Sequence, residues 1–131
     1  MNFKKFSAVV LSSLSLVSLA HANEVLLTAN QPIKITFRIA HKNKNKPPIF
    51  DKLQTLNVNK NVTIPISLDG YDRAGVIIVS GDGHELPPSV NQFDEPNQCS
   101  MTTDKTKATG ALDLTMTPHS INCRTYGGVY G

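Results

Sequence analysis

The chain has no tryptophan, two cysteines and eight aromatic side chains (five Phe, three Tyr) in 131 residues. Each shortage excludes something. After residue 22 the aromatics are Phe37, Phe50, Phe93, Tyr71, Tyr126 and Tyr130, several of them needed for a core. A glycan platform of stacked rings therefore has little to draw on. There is no G-x-S-x-G elbow and no P-loop, and once Cys99 and Cys123 pair no thiol nucleophile is left. His41, His84 and His119 do not stand at a metal-ligand spacing such as H-x-x-x-H. No apolar stripe of period 3.6 persists over three turns, and no repeat or low-complexity run is present.

The one long apolar stretch is at the start. "MNFKKFSAVVLSSLSLVSLAHANEV" places Lys4 and Lys5 before an uncharged run from Phe6 to Leu19, then Ala20-His21-Ala22 as a small-x-small site. That layout predicts a cleavable signal peptide over 1–22 and a mature domain over 23–131. The run is shorter than the roughly 18 residues of a membrane span. No cysteine follows the site to accept a lipid, and no Arg-Arg pair precedes the run, which favours general export. The protein is accordingly expected in the periplasm or secreted.

Cleavage would remove Lys4 and Lys5, leaving eleven basic and ten acidic side chains, so the net charge falls from +3 to +1. A near-neutral domain is poorly suited to nucleic acid, which demands many neutralised phosphates. The remaining 109 residues make a single domain with enough chain for a core. In an oxidising compartment the even cysteine pair, Cys99 and Cys123, reads as a disulfide.

Strand signals dominate the mature chain. In "PIKITFRIA" (32–40), Ile33, Ile35, Phe37 and Ile39 alternate with Lys34, Thr36 and Arg38, the period of a half-buried strand. "EVLLT" (24–28) is a further strand or edge extension, and "HKNKNKPPIFDK" (41–52) is an exposed loop. "LQTLNV" (53–58) and "VTIPISL" (62–68), separated by Asn59-Lys60-Asn61, are expected to form a hairpin, with Pro65 placing the second strand at an edge or bulge. "GVIIVS" (75–80), with four consecutive β-branched residues, predicts a central strand covered on both faces. A Gly/Pro-rich connection (81–97) precedes "CSMTT" (99–103), "ALDLTMT" (111–117) and "SINCRTY" (120–126). The expected fold is all-β: an immunoglobulin-like β-sandwich of about seven short strands.

A simple meander of the last three strands is incompatible with an in-strand disulfide. Two strand spacings exceed the roughly 7 Å that a disulfide allows between Cα atoms. Either the cysteine-bearing strands are direct neighbours, with 111–117 displaced, or one cysteine lies in a loop or on the opposite sheet. The first arrangement is favoured.

For chemistry the sequence offers little. "LDGYD" (68–72) and "SGDGHE" (80–85) are acidic, glycine-containing loops whose Asp69, Asp72, Asp82 and Glu85 are the only candidates for a metal, as oxygen ligands to calcium. Neither matches a full calcium-loop pattern, Asp-Gly is also ordinary turn chemistry, and no metal or other cofactor is expected. Ser80, Asp82 and His84 are the residue types of a hydrolytic set, but alternate residues of one short loop do not readily converge. Charge is more informative. Residues 34–60 hold seven basic side chains against Asp51 alone, a net of +6, while 61–131 hold four basic and eight acidic, a net of −4. Lys42, Lys44 and Lys46 are the candidate contacts to an anionic envelope surface or a partner protein; a solvated loop is the bland alternative.

The ending "CRTYGGVYG" resembles the last strand of chaperone–usher pilin subunits, with its glycines and penultimate Tyr130. That likeness covers the last few residues and the exported, disulfide-bonded format, and it implies a domain completed by a donated strand. The chain departs from the pilin pattern in carrying its cysteines in the C-terminal third. The expectation is thus a small exported binding module without a catalytic site; a pilin-like structural subunit is the second reading and a secreted hydrolase the third.

Overall fold

The alternation of Ile33, Ile35, Phe37 and Ile39 with polar residues becomes a ten-residue strand in the computed structural model, which describes residues 23–86 and 99–129. The strands are β1 (Asn23–Ala29), β2 (Ile33–Lys42), β3 (Ile49–Phe50), β4 (Gln54–Val58), β5 (Asn61–Ile66), β6 (Arg73–Gly81), β7 (Cys99–Asp104), β8 (Thr109–Met116) and β9 (Ile121–Gly127). The expected signal peptide, most of the 81–97 connection and Tyr130 lie outside the described residues.

Two sheets form. One has the order β9-β8-β1-β5, the other β3-β2-β6-β7, with β4 also paired to β2. All pairings are antiparallel except β1 with β8, which run parallel with Leu27 opposite Leu112. Period-two alternation turns one face of each sheet inward. Val25, Leu27, Ile64, Leu112 and Leu114 from the first sheet meet Ile35, Phe37, Val76, Ile78 and Met101 from the second in one core. Each such side chain contributes about 1.5–3 kcal/mol on burial. A buried polar link joins the sheets: the Asn23 amide donates to Thr103 Oγ1 (2.9 Å) and to the Asp104 carbonyl (3.0 Å).

Several expectations hold. β6 lies between β2 and β7, with Val76, Ile77 and Ile78 fully buried, so its apolar run is indeed covered on both faces. β5, with Pro65, is an edge strand, where a missing N–H costs no ladder bond. β1 is a strand inside its sheet rather than an edge extension.

Others need correction. Segments 53–58 and 62–68 do not form a hairpin: β4 pairs with β2 in one sheet and β5 with β1 in the other. The chain turns a corner at Asn59-Lys60, where the Ala29 N–H donates to the Lys60 carbonyl. Val58 and Ile64 thereby enter the same core from opposite sides. Residues 41–52 are not all loop, since β3 pairs with the end of β2. Nine strands, rather than about seven, stand among the described residues.

The favoured placement of the cysteines is also overturned. The 111–117 segment, as β8, pairs directly with the strand bearing Cys123, while Cys99 opens β7 in the other sheet. The disulfide therefore joins the two sheets, with 5.8 Å between its Cα atoms. β7 and β9 are the edge strands on one flank of the sandwich, where the backbones come close enough to be bridged.

Candidate binding surface

The basic residues follow from the register of β2. Since Ile33, Ile35, Phe37 and Ile39 face the core, Lys34, Thr36, Arg38 and Lys42 fall on the outer face. Cross-strand pairing sets Arg73 of β6 beside Lys42 on that face. The Arg38 guanidinium lies 4.1 Å above the centre of the Phe50 ring, a cation–π contact that fastens the short β3 to β2.

Lys44 and Lys46 sit beyond the end of β2 on an exposed turn, and Lys42 is half-buried at its root. The turn is latched to the loop before β6. The Lys44 N–H donates to Asp72 Oδ2 (2.8 Å), and the Asp72 N–H donates to Asn43 Oδ1 (2.9 Å). Within the turn the Lys46 N–H donates to the Asn43 carbonyl (3.2 Å), and Asn45 takes the left-handed conformation (φ 61°) that Asn tolerates well. Asp72, a candidate metal ligand from sequence, thus serves to hold the lysine-bearing turn.

Asp69 lies in the same loop. It accepts a bond from Ser67 Oγ (2.7 Å) and precedes Gly70, both with positive φ. Its other oxygen is 3.8 Å from Nε2 of His41, and Asp51 approaches the same nitrogen at 3.5 Å. The His41 ring is only 4% exposed, packs at a tilt against Tyr71 with 5.3 Å between ring centres, and leaves its buried Nδ1 without a hydrogen-bond partner. Sequence reasoning did not group His41 with Asp51 and Asp69. They are far apart along the chain and meet only because β3 folds back on β2 and β6 starts alongside.

Asp82 and Glu85 lie at the other end of the sandwich. β6 separates the two acidic loops by nine residues, about 30 Å of extended strand, so one ion does not reach both. At that end the Asp82 N–H donates to the Lys34 carbonyl (3.0 Å), and Glu85 makes backbone bonds to His119 and Ile121. His84 Nδ1 is 2.8 Å from the Asp82 backbone carbonyl, which only accepts, so Nδ1 carries the proton. The ring is thus engaged with backbone through Nδ1. An open, polar cleft of about 400 Å³ lies alongside, lined by Lys34, Asn57, Asn59, Asp82 and His84.

No family model, curated protein or solved structure matches this chain. No helix among the described residues is long and apolar enough to cross a membrane. The disulfide-bonded pair is consistent with an exported protein.

Proposed function

We propose that the protein is an exported, non-catalytic binding module with an immunoglobulin-like sandwich, and that its basic 34–60 segment engages an anionic surface or partner. One observation carries this reading: the alternation of β2 sends Lys34, Arg38 and Lys42 to one outer face, which runs on into the exposed Lys44 and Lys46. Most acidic side chains fall outside residues 34–60, so this segment carries a net +6 even though the mature net charge is only +1. Such an asymmetry attracts anions at close range and is screened beyond about 10 Å in 0.1 M salt.

The test uses a soluble polyanion, dextran sulfate, titrated with the mature chain at several salt concentrations. Changing Lys42, Lys44 and Lys46 together to Gln is expected to weaken association and flatten its salt dependence. Unchanged binding by the triple variant at low salt leaves these lysines as a solvated loop and refutes the reading.

A further inference from the structure

Four large apolar side chains stand exposed among the described residues: Leu26, Ile49, Leu53 and Tyr126. They fall into two groups. Leu26 and Tyr126 flank Ala111 in one cross-strand row on the outer face of the first sheet, with charges of mixed sign (Glu24, Asp113, Arg124) beside them. Ile49 and Leu53 belong instead to a segment, residues 44–53, that carries Lys44, Lys46 and Lys52 against Asp51 alone. The carboxylate of Asp51 is turned toward His41, 3.5 Å away.

The exposure of Ile49 (49%) and Leu53 (55%) is not that of a loose loop. The segment is latched at its start by the Lys44–Asp72 bond and stiffened by Pro47 and Pro48. Pairing of β3 with β2, the Arg38–Phe50 stack and the Asp51 N–H bond to the Ile39 carbonyl (2.8 Å) fix its second half. The side chains are displayed on a frame, so a partner need not order them first. Two exposed aliphatic side chains, in a segment whose three ammonium groups outnumber its one carboxylate, match the boundary between acyl chains and anionic headgroups.

We propose that residues 44–53 form an insertion loop for an anionic phospholipid bilayer. Ile49 and Leu53 enter the acyl–headgroup boundary while Lys44, Lys46 and Lys52 contact lipid phosphates. This rests on the reading of the basic segment as an anion-binding surface and names the anion.

The experiment measures co-sedimentation of the mature chain with vesicles of phosphatidylglycerol and phosphatidylcholine in equal parts, and with pure phosphatidylcholine. Binding is expected only to the former. Lys44→Gln, Lys46→Gln and Lys52→Gln together should cost roughly fivefold per lysine at low salt, an effect that fades as salt rises. Ile49→Ser with Leu53→Ser should cost roughly tenfold or more at low and high salt alike, because burial of apolar area is not screened. As the chain has no tryptophan, Leu53→Trp supplies a single reporter, expected to shift to the blue and to be quenched by brominated acyl chains. A Leu53→Trp signal that ignores vesicles, with Ile49→Ser/Leu53→Ser binding unchanged, overturns insertion and leaves the electrostatic reading standing. Failure to bind vesicles with dextran sulfate binding intact overturns the bilayer in favour of an acidic macromolecule. Loss of both overturns the underlying reading as well.

Discussion

Replacing Cys99 and Cys123 together by Ala removes the one covalent tie between the two sheets on the β7–β9 flank. The bridge closes a loop with a sequence separation of 24. On the chain-entropy model a loop of that length stabilises the fold by about 3.5 kcal/mol at 25 °C, through restriction of the unfolded chain. Typical domain stabilities of about 5–15 kcal/mol leave room for the variant to fold. The melting temperature should nevertheless drop by more than about ten degrees, taking roughly 4–8 °C per kcal/mol at this size. Because the unfolded state expands without the tie, the urea m-value should rise. The assay is urea unfolding followed by far-UV circular dichroism of oxidised protein, reduced protein and the double variant. Reduction and substitution should agree within about 1 kcal/mol, since Cys99 is buried and its lost sulfur is only a small packing term beside the loop entropy. A loss below about 1 kcal/mol in both, or two free thiols in protein purified without reductant, refutes the reasoning.

Two further outcomes follow from particular contacts. Gly75→Ala should destabilise by about 1–3 kcal/mol in the same urea assay, because a Cβ there would sit 2.5 Å from the Met101 carbonyl oxygen and 3.0 Å from Thr102 Cα, forcing β7 away from β6. Asp104 caps the turn after β7, and its pKa is held below the ordinary carboxylate value chiefly by the Lys107 N–H (2.7 Å), with help from both donors of Thr106. With the folded-state pKa depressed, this stabilisation is present above the unfolded pKa of about 3.9 and is lost as pH falls through the folded value. Asp104→Asn should therefore flatten that part of the acid limb of stability against pH, and NMR titration of the wild-type carboxyl should give a midpoint below the ordinary value.

Much of the fold was legible because local chemistry determined it. Pro65 placed β5 at an edge, the run Val76–Val79 placed β6 inside a sheet, and the alternation in β2 assigned each side chain to a face. What was missed depended on pairing at long range. Asn59-Lys60 is turn chemistry whether the next strand folds back or crosses to the other sheet; the choice depends on where Ile64 finds partners, and those are in β1. The parallel pairing of β1 with β8 joins residues some 85 apart, for which neither strand carries a local signal. The same holds for the meeting of His41, Asp51 and Asp69: the first two read as isolated polar residues and Asp69 as part of an acidic loop until β3 returns along β2. Lys44 and Lys46 were legible as exposed basic residues, whereas Lys42 closes β2 and is half-buried; the clasp formed by Asn43 and Asp72 was not legible, since Asp72 had the look of a metal ligand.

The register of β2 makes the basic face and the core one decision. A slip of a single residue would send Lys34 and Arg38 inward and expose Ile33, Ile35, Phe37 and Ile39. Burying two unpaired charges in exchange for four apolar side chains is prohibitive on both counts. The bulge between Thr36 and Phe37 shifts the pairing with β6 without disturbing the alternation, so both faces survive it. The face on which the strand's cations stand is consequently as fixed as the core beneath it, and the clasp to Asp72 extends that order past the end of β2 into the backbone of the turn that carries Lys44 and Lys46. On the proposed reading, a backbone held this way has little left to order when the surface meets an anion, so more of the electrostatic attraction remains as net affinity. Clustering seven of the chain's thirteen basic side chains within residues 34–60 then has a physical consequence that a net charge of +3 conceals. On the proposed reading the weak total keeps long-range attraction to polyanions low, while the local cluster acts at contact distance, where an apolar neighbour such as Ile49 or Leu53 is also within reach.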